Sequence, residues 1–316
     1  MAKWTAAHIP RQDGRIAVVT GANGGVGYAI ALELARAGAH VVLACRDTSR
    51  GDEAATRIAA DVPGADLEVR RLDLADLDSA REFASGAPDQ VDLLVNNAGV
   101  MAPPHRQTAQ GFELQFGTNH LGHFALTGLL LSRLESTKAP RVVTTSSNMH
   151  KYATGMAWDD LHSELRYSRW MAYGRSKLAN LLFMGELQRR ATEAGSPLLS
   201  LGAHPGYAAT NLHASGARLG GASLQERIMG VAVKLGAQSP EMGALPSLYA
   251  ATAPGVPPGA YVGPDSRMGT VGNPTLVRGN RASRDLDAAR RLWAISEEQT
   301  GVRYEFAGAS AAPLAG

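Results

Sequence analysis

The chain has 316 residues, of which 45% are hydrophobic and 19% charged. This balance is typical of a globular protein with a substantial core, and it excludes an intrinsically disordered chain. A formal net charge of +2 argues against the strongly basic surface that binds nucleic acid. Because Cys45 is the only cysteine, the chain can form neither an intramolecular disulfide nor a cysteine-rich metal site.

The sequence also argues against membrane attachment and metal binding. Residues 1–13 contain no apolar signal core, and the apolar run of residues 124–131 is too short to cross a bilayer. The histidines show neither HExxH nor another metal-ligand spacing. We therefore expect a cytoplasmic protein without a metal.

Short apolar runs alternate with stretches of helical periodicity. This alternation predicts a doubly wound, Rossmann-type α/β fold, with a parallel sheet of seven strands and helices on both faces. The predicted strands are residues 15–20, 40–44, 67–72, 91–95, 141–145, 198–203 and 260–262. The predicted helices are residues 29–37, 52–60, 76–84, 118–134, 171–190, 241–251 and 285–295. We expect one domain over residues 14–300, between an N-terminal tail, 1–13, and a C-terminal tail, 301–316.

A glycine-rich loop follows the first predicted strand and precedes a helix. Gly21, Gly25 and Gly27 allow a tight turn and a close backbone approach, and the helix N-terminus offers unpaired N–H groups to a pyrophosphate. Asn23 and Val26 belong to the same loop and are expected to contact the dinucleotide. An ordinary glycine turn is the alternative, but the strand–loop–helix context favours the dinucleotide site.

The end of the second predicted strand bears on the choice of cofactor. Arg46 stands 19 positions after Gly27, where NAD-binding proteins carry an acidic residue and NADP-binding proteins can carry an arginine. A guanidinium can pair with the 2′-phosphate of NADP. The adjacent Asp47 would repel that phosphate unless its carboxylate points away, and Arg46 could also be only a surface charge. We predict NADP in preference to NAD.

Tyr173 and Lys177 form a YxxxK motif within a predicted helix. Residues four positions apart share a helix face, so the phenol and the ammonium can converge. A nearby cation lowers the pKa of a phenol, whose ordinary value is about 10. Such a phenol can exchange a proton with an alcohol or a carbonyl. A surface tyrosine beside an extended lysine is the alternative.

The order of the motifs resembles the short-chain dehydrogenase/reductase family. The motifs are TGANGGVG, Asp73-Leu74, NNAG, Asn119, Ser147, YGRSK and HPG, and they extend over about residues 14–265. The finer pattern, including ACRD, NHLGHF and RVVTTSSNMH, is similar to the retinol-dehydrogenase-like and WW-domain-oxidoreductase-like branch. The N-terminal hydrophobic anchor that membrane members often carry is not seen here, so membrane attachment and retinoid substrates are not expected to carry over.

The resemblance implies a role for each residue of a catalytic group. Tyr173 would be the acid/base, and Lys177 would lower its pKa and bind the nicotinamide ribose. Ser147 would hold the substrate oxygen, with Ser146 as the alternative serine. Asn119 would shape its helix and hold a water molecule in a proton relay.

The resemblance also implies further cofactor contacts at the ends of strands. Asp73 and Leu74 would contact the adenine. The adenosine side would meet Asn96, Ala98 and Gly99, and the nicotinamide end would meet Pro205, Gly206 and Thr210.

These residues together predict an NADP(H)-dependent enzyme that interconverts a small-molecule carbonyl and an alcohol. The glycine-rich segment of about residues 207–240 would be the substrate lid, and its apolar residues indicate an apolar or bulky substrate. Trp158, Tyr167 and Trp170 either wall the cleft or pack. The alternatives are double-bond reduction, dehydration or epimerisation on the same scaffold, and a non-catalytic NADP sensor or scaffold. The two long helices, 118–134 and 171–190, could form the interface of a homodimer, and the sequence does not decide whether they do.

Overall fold

The computed structural model describes residues 3–207 and 238–308. Its sheet has the strand order β3-β2-β1-β4-β5-β6-β7-β8, with the first seven strands parallel and β8 antiparallel to β7. The strands are β1 (Ile16–Thr20), β2 (His40–Cys45), β3 (Leu67–Arg71), β4 (Leu93–Asn96), β5 (Arg141–Thr145), β6 (Leu199–Ala203), β7 (Tyr261–Pro264) and β8 (Pro274–Val277).

The doubly wound fold is confirmed, but the prediction of seven strands is wrong by one. Strand β8 has four residues, begins with Pro274 and is only partly buried, so its sequence carries no buried apolar run. Its strand character comes from pairing with β7 across a hairpin. A short edge strand of this kind is stabilised by its partner more than by its own residues.

Helices cover both faces of the sheet. They are α1 (Gly25–Arg36), α2 (Thr48–Asp61), α3 (Leu77–Ser85), α4 (Leu114–Phe116), α5 (Gly122–Leu129), α6 (Leu131–Glu135), α7 (Arg169–Glu193), α8 (Pro240–Thr252) and α9 (Leu286–Thr300). Neighbouring residues of β1 serve different faces, because Val19 packs with α1 and α8 whereas Val18 packs with α5 and α7.

The helix predicted over residues 118–134 is interrupted. A π-helical segment, Gly117–Leu121, precedes α5, and a further break separates α5 from α6. Gly122, at the start of α5, lies against the loop that follows β3. A Cβ added to it would stand 2.3 Å from the Leu74 carbonyl oxygen. A π-turn accommodates one extra residue in a helix and shifts the side chains before it relative to those after it.

The described parts of both predicted tails pack against the domain. The ring of Trp4 meets that of Tyr249 on α8 edge to face, with centroids 5.3 Å apart. At the other end, Tyr304 donates a hydrogen bond of 2.6 Å to the Phe124 carbonyl, and Phe306 is buried. Aromatic side chains bury large apolar areas, which explains why these segments adhere to the core.

The C-terminal helix α9 covers part of the two helical segments that a homodimer could use as its interface. It packs against both α5 and α7, and Trp293 is buried against Phe124 and Phe183. In the described ranges, no helix is long and apolar enough to cross a membrane. Most of the predicted lid, including Thr210, lies outside the described residues, and its two ends are joined by a 2.7 Å hydrogen bond from Gln238 N to Tyr207 O.

Candidate active site

The glycine loop forms a cradle where the strand order reverses. Strand β1 lies between β2 and β4, and a ligand of a doubly wound sheet binds beyond the carboxyl ends of strands at such a point. Gly21 has a φ of +69°. An added Cβ on Gly27 would stand 2.4 Å from the Gly21 carbonyl oxygen, so only glycine fits there.

The N-terminus of α1 suits an anion. Its N-cap residue is Gly24, which supplies no side-chain hydrogen bond to the first N–H groups of the helix. Those groups and the helix dipole are the donors that a pyrophosphate requires. The residues present therefore fit a dinucleotide, with Asn23 and Gly25 lining an open cleft of about 770 Å³ that extends to α2.

A buried hydroxyl ties this cradle to strand β4, which the sequence analysis did not foresee. Thr20 Oγ1 accepts hydrogen bonds of 2.9 Å from the backbone N–H groups of Asn97 and Ala98, and it lies 3.0 Å from His123 Nε2. The Asn97 side chain in turn donates to the Thr20 carbonyl at 2.8 Å. The threonine before the first glycine and the doubled asparagine of NNAG are the signals that could have indicated this link.

Arg46 and Asp47, which follow β2, have different surroundings. Arg46 is exposed after β2. Asp47 is the N-cap of α2, and its carboxylate accepts a 3.1 Å hydrogen bond from the Arg50 N–H. The carboxylate is thus engaged by its own helix N-terminus, which a capping aspartate stabilises.

The predicted adenosine contacts differ in what they can offer. The Asp73 carboxylate accepts from the Ala75 N–H at 3.0 Å, and Leu74 is buried. The Asn96 side chain points into the interior and donates to Thr127 Oγ1 at 2.9 Å, so only its backbone can face a cofactor. Gly99 lies beside the catalytic candidates, because an added Cβ would stand 3.5 Å from Lys177 Nζ.

The nicotinamide end is described only in part. Gly206 has a φ of +65°, and its N–H donates to His204 Nδ1 at 3.3 Å. The Pro205 carbonyl accepts from the Gln238 side chain at 2.6 Å. The predicted contact of Thr210 stays a prediction, since that residue lies outside the described ranges.

Tyr173 and Ser147 are brought together by the packing of α7 on the end of β5. Tyr173 is 7% exposed, and its phenol forms a hydrogen bond with the Ser147 side chain. Ser147 is the N-cap of a short 3₁₀ turn, where its Oγ accepts from the Met149 N–H at 3.2 Å. Ser146 points elsewhere and donates to the Lys177 carbonyl at 2.8 Å. The geometry supports Ser147 over Ser146.

Burial dominates the charge state of the Tyr173–Lys177 pair. It raises the pKa of Tyr173 to about 12, against the opposing effect of the Ser147 hydrogen bond. It also lowers the pKa of Lys177 to about 8. Lys177 Nζ lies 5.7 Å from the centre of the Tyr173 ring and donates to the Thr145 carbonyl at 3.2 Å. The sequence predicts that the lysine lowers the pKa of the tyrosine, but burial is the main cause of the observed shift and Lys177 is not among its causes.

Asn119 lies inside the π segment and holds the backbone that follows β4. Its side-chain oxygen accepts from the Val100 N–H at 2.8 Å, and its Nδ2 donates to the Val100 carbonyl and to Ser176 Oγ, both at 2.9 Å. Ser176 is the neighbour of Lys177 on α7. Asn119 therefore joins the catalytic helix to the loop after β4.

The three aromatic residues before α7 take different places. The Arg291 guanidinium packs over Trp158, with its Cζ 4.6 Å from the centre of the indole ring. The Tyr167 hydroxyl donates to the Pro103 carbonyl at 2.7 Å. Trp170 is 37% exposed and remains a candidate for the cleft wall. Across the described ranges, the His, Cys, Asp and Glu side chains form no group of three or more that could hold a metal ion.

A dinucleotide cradle at the switch point, with a Tyr–Lys–Ser–Asn group beside it, defines an NAD(P)-dependent oxidoreductase. A sequence profile of short chain dehydrogenases matches residues 15–218. The chain belongs to the short-chain dehydrogenase family, in its retinol-dehydrogenase-like branch.

Individual proteins show the extent of this similarity. Human retinol dehydrogenase 12 is 41% identical over 297 residues, which cover 92% of this chain and 88% of that protein. The crystal structure of an uncharacterised protein from Mycobacterium paratuberculosis is 44% identical, has a TM-score of 0.80, and matches 96% of this chain and 100% of its own. The NADP active-site complex of RhlG from Pseudomonas aeruginosa is 25% identical, with a TM-score of 0.61 over 79% of this chain and 94% of its own.

Replacing Gly27 tests the close contact within the cradle. We expect Gly27→Ala to destabilise the fold by about 1–3 kcal/mol and to weaken NADPH binding, because its Cβ would collide with the Gly21 carbonyl. Gly185→Ala on α7 is the matched control, since an added Cβ there meets no atom within 4 Å. Urea unfolding and NADPH fluorescence titration measure the two effects. Equal effects of the two substitutions would contradict the role of the contact.

Proposed function

We propose that the protein interconverts a carbonyl and an alcohol with NADP(H), using Tyr173 as the group that donates and accepts the proton. The observation that supports this most directly is the buried Tyr173 phenol, hydrogen-bonded to Ser147 and one helical turn from Lys177. A binding protein without turnover would need none of these groups.

The three side chains can divide the work of one proton transfer. The hydride is the chemistry that a bound nicotinamide cofactor supplies. The Ser147 and Tyr173 hydroxyls would hold the substrate oxygen, and the Tyr173 proton would pass to that oxygen as it gains negative charge. Lys177, buried beside the phenol, would supply positive charge and help to restore the proton. Asn119 would keep α7 and the loop after β4 in place.

Two features support NADP as the cofactor. Arg46 is exposed at the end of β2, and the competing carboxylate of Asp47 is turned onto the N-terminus of α2. The RhlG structure, which shares this fold, is an NADP complex. Arg50 and Arg57 add positive charge to the cleft beside α1, although Asp52 and Glu53 line it as well.

An apolar carbonyl or alcohol is the proposed substrate class. The names of the relatives that cover most of this chain specify retinol, a lipophilic alcohol. Large apolar side chains are also exposed close to Ser147. Tyr152 ends the 3₁₀ turn that Ser147 caps, and the backbone of the exposed Met268 accepts a hydrogen bond of 3.3 Å from Asn148.

Removing the phenolic hydroxyl tests the proposed acid/base. We expect Tyr173→Phe to lower kcat by about 10²–10⁴-fold with little change in NADPH affinity, because the proton donor is lost while the cradle is intact. The assay is NADPH consumption with all-trans-retinal, nonanal and glyceraldehyde, with the products identified. Tyr167→Phe is the control, as it removes a phenolic hydroxyl whose hydrogen bonds are to the Pro103 carbonyl and the Gln115 side chain, neither of which belongs to the proposed catalytic group. Retained activity in Tyr173→Phe, or products in which the carbonyl survives, would overturn the proposal.

The direction of the reaction should determine its pH dependence. Tyr173, with a pKa raised to about 12, keeps its proton at neutral pH, and Lys177, with a pKa lowered to about 8, loses its charge above that pH. We expect kcat/KM for carbonyl reduction to fall above about pH 8, and that for alcohol oxidation to rise with pH, since oxidation must remove the proton. Initial rates in both directions at constant ionic strength give the profiles. A reduction rate that rises with pH would contradict this assignment.

Arg46 should decide between the two nicotinamide cofactors. We expect Arg46→Ala to raise the KM for NADPH by about 10–100-fold and to leave that for NADH almost unchanged, because only NADPH carries the 2′-phosphate. Arg290→Ala, on the far helix α9, controls for a general loss of positive charge. An unaltered preference for NADPH in Arg46→Ala would show that another group recognises the phosphate.

A further inference from the structure

Asn180 continues the face of α7 that carries the catalytic candidates. It follows Lys177 by three positions and Tyr173 by seven, which places all three on one side of the helix. Its side chain is 1% exposed. A buried carboxamide needs hydrogen-bond partners, so the identity of those partners shows what the side chain holds.

Asn180 and Lys177 bind the same backbone oxygen. Asn180 Nδ2 donates to the Thr145 carbonyl at 2.9 Å, and Lys177 Nζ donates to it at 3.2 Å. Thr145 is the last residue of β5 and is followed directly by Ser146 and Ser147. One carbonyl thus connects the helix of Tyr173 with the strand that carries Ser147, and Asn180 maintains this connection without the ammonium.

His120 stands behind Asn180. The two side chains lie near each other, and among the described residues His120 Nδ1 and Asn180 Oδ1 are both buried without a hydrogen-bond partner. On its other side, His120 Nε2 lies 2.9 Å from Ser296 Oγ on α9. Burial lowers the pKa of His120 to about 3, so the ring is neutral and carries one N–H.

The Ser296 hydroxyl decides the tautomer of His120. Ser296 Oγ donates to the Leu292 carbonyl at 2.7 Å, so it accepts from the ring at the 2.9 Å contact with His120 Nε2. The proton of His120 therefore lies on Nε2, and Nδ1 faces Asn180 as an acceptor. His120 thus packs behind Asn180 and is held there by α9.

The groups that face Lys177 are neutral. On its own helix stands the protonated Tyr173. From the helix after the π segment comes His123, whose pKa burial lowers to about 4, and from the π segment itself comes His120 behind Asn180. From β5 the Thr145 carbonyl accepts from Lys177, and Gly99, in the loop after β4, lies beside the ammonium. The shift of the Lys177 pKa has burial as its cause, with no carboxylate contribution.

We propose that Asn180 is a positioning residue for Lys177. It holds α7 in register with β5 and occupies one side of the Thr145 carbonyl, so Lys177 keeps its other N–H groups for the cofactor and the proton path. Because the carboxamide is uncharged, it does this without raising the pKa of the lysine. This inference rests on the proposed catalytic role of Lys177.

The kinetic test compares Asn180→Ala and Asn180→Asp with Gln188→Ala. Gln188 is a matched control on the same helix, because its Oε1 accepts from the Ser200 N–H of β6 at 2.9 Å, far from Lys177. Rates of NADPH consumption are followed across pH with nonanal or all-trans-retinal, whichever is reduced faster. We expect Asn180→Ala to lower kcat by about tenfold or more while the KM for NADPH changes much less. We expect Asn180→Asp to move the alkaline limb upward by about one pH unit, because a carboxylate would stabilise the ammonium.

A turnover-independent test uses the thermal unfolding of the parent, Asn180→Asp, Lys177→Met and the double variant across pH. We expect Asn180→Asp to lower Tm less in the presence of Lys177 than in the Lys177→Met background, since only the former supplies a cation. If the cycle shows coupling but the pH profiles of the Asn180 variants are unchanged, the two side chains are neighbours and the positioning role of Asn180 is overturned. An absence of coupling would overturn the contact. An inactive parent or a fully active Lys177→Met would instead refute the proposed function. If Asn180→Ala loses only stability, as Gln188→Ala does, the role is structural.

Discussion

The attachment of helix α7 to the end of strand β5 is the interaction on which the rest of the site depends. Three side-chain hydrogen bonds make it: Ser146 to the Lys177 carbonyl, and Lys177 and Asn180 to the Thr145 carbonyl. All are buried, where a hydrogen bond is worth more and its loss leaves a desolvated polar group. This attachment sets Tyr173 beside Ser147, although a long loop separates them in the chain.

The site is polar, with Lys177 as its cationic group at neutral pH. Burial acts on its ionisable groups in the direction of the neutral form: it raises the pKa of Tyr173 and lowers that of Lys177 and His123. A protonated phenol suits the donation of a proton to a carbonyl oxygen, and a lysine that titrates near neutrality suits its return. A carboxylate in the same place would fix the lysine as a cation.

Sequence patterns predicted much of the site, and the exceptions have physical causes. The glycine spacing indicated the close approach of Gly27 to Gly21, because no other residue lacks a Cβ. The sequence could not show that the Asn96 side chain turns inward onto Thr127. A carboxamide at the end of a strand can form hydrogen bonds either in the protein interior or in the cleft, and the sequence does not distinguish the two. The sequence patterns missed the hydrogen-bonded group of Thr20, Asn97 and His123 for a related reason. These residues come from three separate segments, and only the tertiary structure brings them together.

The sequence by itself determined the parallel order of buried strands, the phosphate cradle and the tyrosine–lysine pair, because local periodicity and fixed spacing encode all three. Only the tertiary structure decided the antiparallel strand β8, the π segment around Asn119 and the packing of Trp4 and Tyr304 on the core. It also decided that burial, and not the neighbouring lysine, shifts the pKa of Tyr173. These features depend on which distant segments exclude water from one another, and no window of sequence contains that information.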